Sequence, residues 1–378
     1  MRILIVGDSV GGLAAARDLG ANGWTVGLAC ARRWGLIGLS RHVDAWHEVY
    51  PPFGDLDPFV AAINAAVAAK EYDLLLGVGE AEVLALSAVR ARLKAQVPYT
   101  DHTNVLRGID KLSLHDEALA AGLATPRTEI ATPEVLDSFS LPVAVKARLH
   151  WVPGAEHRRV DAVVAHSRED ALDRAAAMRE QGAEPLYQEF VSGRVLHFVA
   201  VCARGGDVVT TACHETTRLG ASGSGQSARA VTVAADPKLA EGVQRFLANL
   251  DWFGMADLQF WLQDDGEALL TDFNGRIYGA LALPVAAGWN GTDAWGRLAM
   301  GQAVELPPAP AGVRYHSMEG ELRQAVARRR PGEAVGCLVH AAATHHPVWQ
   351  TRDPMPGLGY IADKVRRLVS GEMDLSGR

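Results

Sequence analysis

Two runs rich in apolar residues flank Asp264-Asp265-Gly266, within the stretch that runs from Gly254 to Ala280. Asp-Gly between such runs predicts a β-hairpin. With Asp265-Gly266 as a two-residue turn, Asp264 faces Glu267, Trp261 faces Leu270, Gln259 faces Asp272 and Asp257 faces Asn274. Side chains alternate with period two, so Asp257, Gln259, Asp272 and Asn274 share one face, while Leu258, Phe260 and Phe273 point into a core. An all-oxygen set without cysteine or histidine suits a hard cation such as Mg²⁺, held partly by protein and partly by phosphate oxygens. Arg276 follows at the strand end, placed to meet an anion beside the metal. The plainer alternative is the solvent face of an amphipathic hairpin.

The same patterning predicts elements along the rest of the chain. Residues 2–6 form a buried strand, followed by Gly7, Gly11 and Gly12, a helix to about Leu19 and a second strand over Thr25–Cys30. This is a Rossmann-type βαβ start, but its glycines read G-x-x-x-G-G and no acidic residue ends the second strand. A doubly wound domain whose strand ends line a cleft fits better than a dinucleotide site. Asp57-Pro58 opens a helix as cap and first residue, with Phe59, Ile63 and Val67 on its buried face. A strand over Leu74–Gly77 leads to Glu80, which either touches a ligand or complements a helix dipole, and to a helix reaching about Gln96.

Two lysines occupy awkward places. Asp110 caps a helix from Lys111 to Ala121, stopped by Gly122 and Thr125-Pro126. Lys111 sits in the first turn, where the helix dipole disfavours a cation, so an anionic ligand would explain it. Lys146 ends the apolar strand 141–146, and a lysine on a buried strand is costly unless an anion meets it or it snorkels to solvent. Residues 168–181 read as a helix and 186–191 as a strand. Residues 195–203 and 208–213 read as a hairpin around Gly205-Gly206, with Cys202 opposite Val209. Residues 214–228 are rich in glycine and serine without apolar periodicity, which predicts a mobile substrate loop whose one cation is Arg218. A helix over 237–250 follows. An alanine- and leucine-rich helix is expected past Ala280, a boundary at Pro307-Pro308-Ala309-Pro310, a helix over 319–329 and a turn over 352–356.

Composition narrows the function classes. The 378 residues suffice for two or three domains, and 48% hydrophobic and 21% charged residues are ordinary for a globular protein. A net charge of −7 with pI near 6.0 argues against nucleic-acid and anionic-membrane partners. No apolar run is long enough to span a bilayer, and the first residues run straight into a strand and not a signal peptide, so a cytoplasmic location is expected. The four cysteines, Cys30, Cys202, Cys213 and Cys337, show no Cys-x-x-Cys spacing, so neither a disulfide framework nor a zinc site is expected. His345-His346 would point opposite ways on an extended segment, which speaks against a metal there.

The ending Asp272-x-Asn274-x-Arg276 resembles the Glu-x-Asn-Pro-Arg strand of the ATP-grasp superfamily. Gly254, Gln259 and Phe260 match that family's preceding Gly-x-x-x-x-Glu-Phe strand. Asp272 replaces Glu, Gly275 replaces Pro and Gln259 replaces a second Glu, which removes a negative charge. The segment from Asp110-Lys111 to Pro126 resembles the family's Asp-Lys segment, and 141–146 its Val-Val-Lys-Pro strand with Ala147 for the proline. Residues 151–159, with Gly154, His157, Arg158 and Arg159, correspond to the lid, and 186–191 to the hinge strand; Val195 stands where a ribose-binding Glu is common.

The resemblance implies a Rossmann-like domain over 1–98, ATP-grasp subdomains over 99–186 and 187–310 that sandwich ATP, and a C-terminal extension over 311–378. It implies that Lys111 and Lys146 hold phosphates and that Gln188, Glu189, Phe190 and Val191 flank adenine. Gln259, Asp272 and Asn274 would hold Mg²⁺, with Mn²⁺ as the alternative, and Arg276 and Arg218 would stabilise an acyl phosphate and an oxyanion. The implied activity is a ligase that activates a small carboxylate with ATP and joins it to an amine, releasing ADP and phosphate. Its partners would be small molecules, and a homodimer is left open. A bicarbonate- or thiol-using relative and a non-catalytic ATP-binding protein are the alternatives.

Overall fold

Unbroken apolar runs such as Ile3-Leu4-Ile5-Val6 and Leu74-Leu75-Leu76 need cover on both faces, and a parallel sheet between helices supplies it. In the computed structural model, which describes residues 1–151, 162–219, 227–318, 321, 330–342 and 344–369, they form its N-terminal sheet. The elements are β1 (Arg2–Val6), α1 (Val10–Ala21), β2 (Thr25–Cys30), β3 (Ala45–Glu48), α2 (Asp57–Lys70), β4 (Leu74–Gly77) and α3 (Glu80–Ala88). The strand order is β3-β2-β1-β4, all parallel. β3 escapes sequence reading because Ala45-Trp46-His47-Glu48 is a half-buried edge without an apolar run. α2 starts at Asp57 itself, one residue before the expected first position. α3 stops at Ala88 and not near Gln96, because Gln96 is drawn into a bridge with Leu74 at the sheet edge.

The glycines after β1 serve packing. A Cβ on Gly11 would lie 2.1 Å from the Tyr278 carbonyl oxygen, so the N-terminus of α1 presses directly on the segment that follows Arg276. The motif that resembles a nucleotide loop is here the joint between the parallel sheet's first helix and the segment after the hairpin that ends at Asn274.

The middle of the chain adds α4 (His102–Ile109), α5 (Lys111–Ala120), β5 (Thr128–Ile130), α6 (Pro133–Leu136), β6 (Val143–Ala147), β7 (Val163–Ala165), α7 (Arg168–Glu180) and β8 (Pro185–Glu189). Its antiparallel sheet, β5-β8-β6-β7, has a core of its own. Ala171, Ala175 and Met178 of α7 recur at helical spacing and pack there against Val143, Val145 and Tyr187.

The third sheet carries β9 (Arg194–Cys202), β10 (Val208–Leu219), β11 (Ser227–Val233), β12 (Gly254–Leu262), β13 (Ala268–Asn274) and β14 (Arg314–His316), in the order β13-β12-β9-β10-β11-β14. α8 (Pro237–Asn249) separates its two halves in sequence. Of the loop expected over 214–228, residues 214–219 and 227–228 are strand, since β10 runs to Leu219 and β11 starts at Ser227; residues 220–226 lie outside the described residues. Glu215 and Thr216 pair with β9 on one side and β11 on the other, and two-sided pairing overrides a composition that locally favours a loop. At the Gly205-Gly206 turn Cys202 pairs with Val208, not Val209, because the register slips by one residue before Thr210. All four cysteines are buried, and among the described residues none forms a disulfide.

The apolar stretch past Ala280 splits into α9 (Ala282–Ala286) and α10 (Gly291–Ala299), with Gly288 at φ +85° between them. α11 (Pro331–Ala342) and α12 (Met355–Val369) close the chain. The helix expected over 319–329 lies outside the described residues except for Glu321. The turn expected at 352–356 leads straight into α12, with Pro356 in its first turn, where proline is tolerated. Among the described residues no helix is long and apolar enough to cross a membrane.

Candidate active site

The hairpin differs from the expected one at its tip and agrees with it at its base. Gln263 N–H donates to the Glu267 carbonyl at 2.8 Å, which makes Asp264-Asp265-Gly266 a three-residue loop with Gly266 at φ +90°. Trp261 therefore pairs with Leu269, not Leu270, and Asp264 does not face Glu267. A one-residue bulge at Thr271 absorbs the offset, and beyond it Gln259 pairs with Asp272 and Asp257 with Asn274. The bulge also turns the Thr271 carbonyl towards Lys146 Nζ, 3.4 Å away. Gly275 is required locally, since a Cβ there would lie 2.2 Å from the buried ring of Trp252.

Lys111 reaches this hairpin from α5. Asp110 caps α5 by accepting from the Leu112 and Ser113 amides, and Arg148, just past β6, clamps the Asp110 carboxylate at 2.8 Å. The helix start is thus tied to the strand that carries Lys146. Lys111 Nζ lies 2.8 Å from Asp272 Oδ1, and Lys111 is buried. Burial opposes the charge on Asp272, yet Lys111 and Lys146 outweigh it and hold the carboxyl well below the usual range. Burial lowers Lys146 to about 8, and the charge of Lys111 adds to the effect against the pull of Asp272. Two ammonium groups thus share one carboxylate.

Asp257 is 1% exposed and accepts from His197 Nδ1 at 2.8 Å and from Asn274 Nδ2 at 3.2 Å. Asn274 Oδ1 accepts from Arg276 at 2.9 Å, which completes a chain His197–Asp257–Asn274–Arg276. Four paired strands set Asp272, Gln259, His197 and His214 in one cross-strand row. The His197 and His214 rings stack at 4.6 Å and 5°, and Tyr278 stacks beyond at 6.0 Å. Burial opposes protonation of His197, but the Asp257 charge prevails and raises its pKa. Burial, helped by His197, pushes His214 well below its usual value. His197 Nε2, both His214 nitrogens and the Tyr278 hydroxyl are buried without a partner among the described residues. Sequence reading missed this wall. The period-two alternation of β9 carried a signal for His197, but His214 fell in the stretch read as a loop.

The other expected site residues are spread more widely. Gln188 is buried on β8, and its amide donates to Thr128 Oγ1 at 2.8 Å. Glu189 accepts from the Arg127 amide at 3.2 Å. Phe190, 44% exposed, and Val191 join β8 to β9, between the two antiparallel sheets. Arg218 lies on β10 with its Nε 3.7 Å from Glu321, apart from the Lys111–Asp272 pair. Of the expected lid, all but Trp151 lies outside the described residues. On the other side of Arg276, burial raises the Glu82 carboxyl against the opposing charge of Arg276. Glu82, Gly7, Asp8, Arg32 and Tyr50 line a crevice of about 260 Å³ at the ends of the parallel strands, where open α/β sheets bind ligands.

The donor set fits the groups the motifs imply. Asp272, Gln259 and Asn274 offer only oxygen to a cation, and one carboxylate suits a hard divalent ion that takes its remaining ligands from phosphate and water. The surplus of ammonium charge around Asp272 suits a polyphosphate.

No family model and no curated protein matches the sequence. Solved structures do match the fold. An N5-carboxyaminoimidazole ribonucleotide synthetase in complex with ADP superposes with a TM-score of 0.64 at 14% identity, over 87% of this chain and 84% of that one. The biotin carboxylase domain of a Hydrogenobacter thermophilus 2-oxoglutarate carboxylase, with MgADP and bicarbonate, gives 0.65 at 11% identity over 83% and 73%. A Campylobacter jejuni biotin carboxylase gives 0.61 at 15% identity over 80% and 71%. The chain therefore has the ATP-grasp fold, preceded by a Rossmann-like domain.

Proposed function

We propose that this chain is an ATP-dependent ligase that activates a small carboxylic acid as an acyl phosphate and joins it to an amine. The observation that carries the reading is the convergence of Lys111 and Lys146 on Asp272, beside Gln259 and Asn274, in an ATP-grasp fold. Lys111 and Lys146 hold the phosphates, and the β8–β9 connection at Phe190 and Val191 receives the adenine. Asp272, Gln259 and Asn274 would hold Mg²⁺, whose charge offsets that of the phosphate oxygens. Arg276, fixed by Asn274 at 2.9 Å, presents a guanidinium to the acyl phosphate and to the oxyanion that follows. The acid's oxygen takes the γ-phosphoryl group and ADP leaves; the amine nitrogen then attacks the acyl carbon, phosphate leaves and the amine gives up a proton. The crevice beside Glu82 supports binding of the acid or amine there, and Arg218, held at Glu321, has the weaker claim to a catalytic role.

The test is release of ADP and phosphate from ATP and Mg²⁺ with a panel of amino acids and small carboxylates, each with and without an amine. AMP as the stoichiometric product would overturn the acyl-phosphate route. Bicarbonate as the acid is the second reading, favoured by the carboxylase neighbours; turnover that requires added bicarbonate would establish it. Nucleotide binding without turnover under any of these conditions would leave an ATP-binding protein.

A further inference from the structure

At the opposite edge of the six-stranded sheet, three elements bring together a second set of donors. His316 ends β14, Glu321 follows it, and Cys337 and His340 lie three apart on α11, hence on one face of that helix. His316, Glu321 and Cys337 are 1%, 4% and 1% exposed. Their donor atoms all lie within 4.8 Å of one another. His316 Nε2 is 3.5 Å from Glu321 Oε1, and Cys337 Sγ is 3.7 Å from His316 Nε2. A tetrahedral Zn²⁺, with bonds of about 2.0–2.3 Å, sets its ligands roughly 3.3–3.7 Å apart. These two spacings match a coordination tetrahedron, and the first is too long for a good hydrogen bond. The His340 ring stands edge-on to His316 with centroids 5.1 Å apart, outside the cluster of three, and a change of its rotamer would bring it in as a fourth ligand.

Arg229 grips Glu321 through two bonds of 2.7 and 2.5 Å, and Arg218 approaches it at 3.7 Å. Such outer-shell partners orient a ligating carboxylate. Their charge lowers affinity for a dication, while the carboxylate and a thiolate together offset a dication's charge. Mixed nitrogen, sulfur and oxygen donors select zinc over Mg²⁺. Spacing alone hid the set, because its donors come from separate segments.

We infer that His316, Glu321 and Cys337, with His340 turned in as the fourth ligand, form a structural Zn²⁺ site that fastens α11 to the edge strand β14. The 378-residue chain, purified without chelator, should carry about one zinc per chain by elemental analysis. Replacing zinc with Co²⁺ should give the near-ultraviolet thiolate-to-cobalt charge-transfer band of a cysteine ligand. Chelation should lower the melting temperature of the wild type, and added zinc should restore it. Cys337→Ala should lose the band and most of the zinc, and His340→Ala should bind zinc more weakly. A wild-type chain that takes up no stoichiometric zinc, or a Co²⁺ adduct without the charge-transfer band, overturns the site. Both readings use the unmutated protein, so an unstable variant does not affect them.

Discussion

Two ion pairs of nearly equal length, one buried and one half-buried, sit in this molecule, and they are built to different ends. Arg17 Nε and Asp353 are 2.9 Å apart, and Lys111 Nζ and Asp272 are 2.8 Å apart. Around the first, everything is closed. Asp353 also accepts from Ser40 Oγ and the Arg41 amide, and Arg17 gives its remaining donors to the carbonyls of Pro347, Val348 and Asp353. One positive and one negative charge cancel, and the result locks the segment before α12 onto α1. Around the second, the count is open: a second lysine shares the same carboxylate, and its bond to the Thr271 carbonyl is a long one of 3.4 Å. A closed pair holds chain to chain, whereas the open one, under the proposed function, is completed by the phosphates of ATP.

The largest effect that tests this contrast is on turnover. Asp272→Asn should lower ATP turnover by about 10²–10³-fold or more, while calorimetric ATP binding persists because both lysines remain. Full activity would remove Asp272 from the site. Asp353→Ala should do the converse. It strands Arg17 among carbonyls and should cost about 3–5 kcal/mol of stability, read from denaturant unfolding, with ADP release per folded molecule unchanged. Hydrogen bonds and Arg17, against burial, hold the Asp353 carboxyl below its ordinary 3.8. Its contribution is therefore present above that value and lost as pH falls below it.

Next in size is a pH effect peculiar to the open pair. In the free protein Lys146 titrates at about 8, below its ordinary 10.5, chiefly through burial. Phosphate oxygens favour its charged form, so binding above pH 8 must take up a proton. ATP affinity should then fall by up to about tenfold per pH unit from 8 towards 10, measured by calorimetry. The folded chain binds fewer protons than the unfolded one in that window, so its stability without ATP should rise with pH. Lys146→Arg, which stays charged, should flatten both profiles; an unchanged slope would place the titrating group elsewhere.

The sequence disclosed the open pair better than the closed one. Lys111 in a first helical turn and Lys146 on a buried strand are each locally unfavourable, and that misfit is visible without a structure. Arg17 and Asp353 look like any surface residues, because their partners lie hundreds of positions away in the chain. The same holds for β3, an edge strand, and for residues 214–219, whose strand character comes from neighbours on both sides. The tip of the β12–β13 hairpin lies one residue off the expected register, yet the Thr271 bulge restores the expected pairing of Gln259 with Asp272 and of Asp257 with Asn274. A local pattern fixes which faces are polar; it does not fix where a strand takes up an extra residue. His197 and His214 were missed for the related reason that their stack exists only across paired strands.

The smallest expected effect is also the most direct probe of the imbalance. Gln259 pairs with Asp272 on one side and with His197 on the other. Gln259→Glu adds a second carboxylate at that point, so two ammonium groups would then face two acids. The Lys146 pKa should rise from about 8 towards its ordinary 10.5, since a nearby opposite charge favours the ammonium form. Mg²⁺, weakly held by the wild type without nucleotide because the protein offers it one carboxylate, should bind the variant more tightly. Turnover should change by no more than a few fold. Titration of Mg²⁺ into both proteins, with and without ATP, reads these shifts. Tight Mg²⁺ binding to the nucleotide-free wild type, unaltered by the substitution, would mean that the metal sits on other residues and that the charge surplus around Asp272 has another purpose.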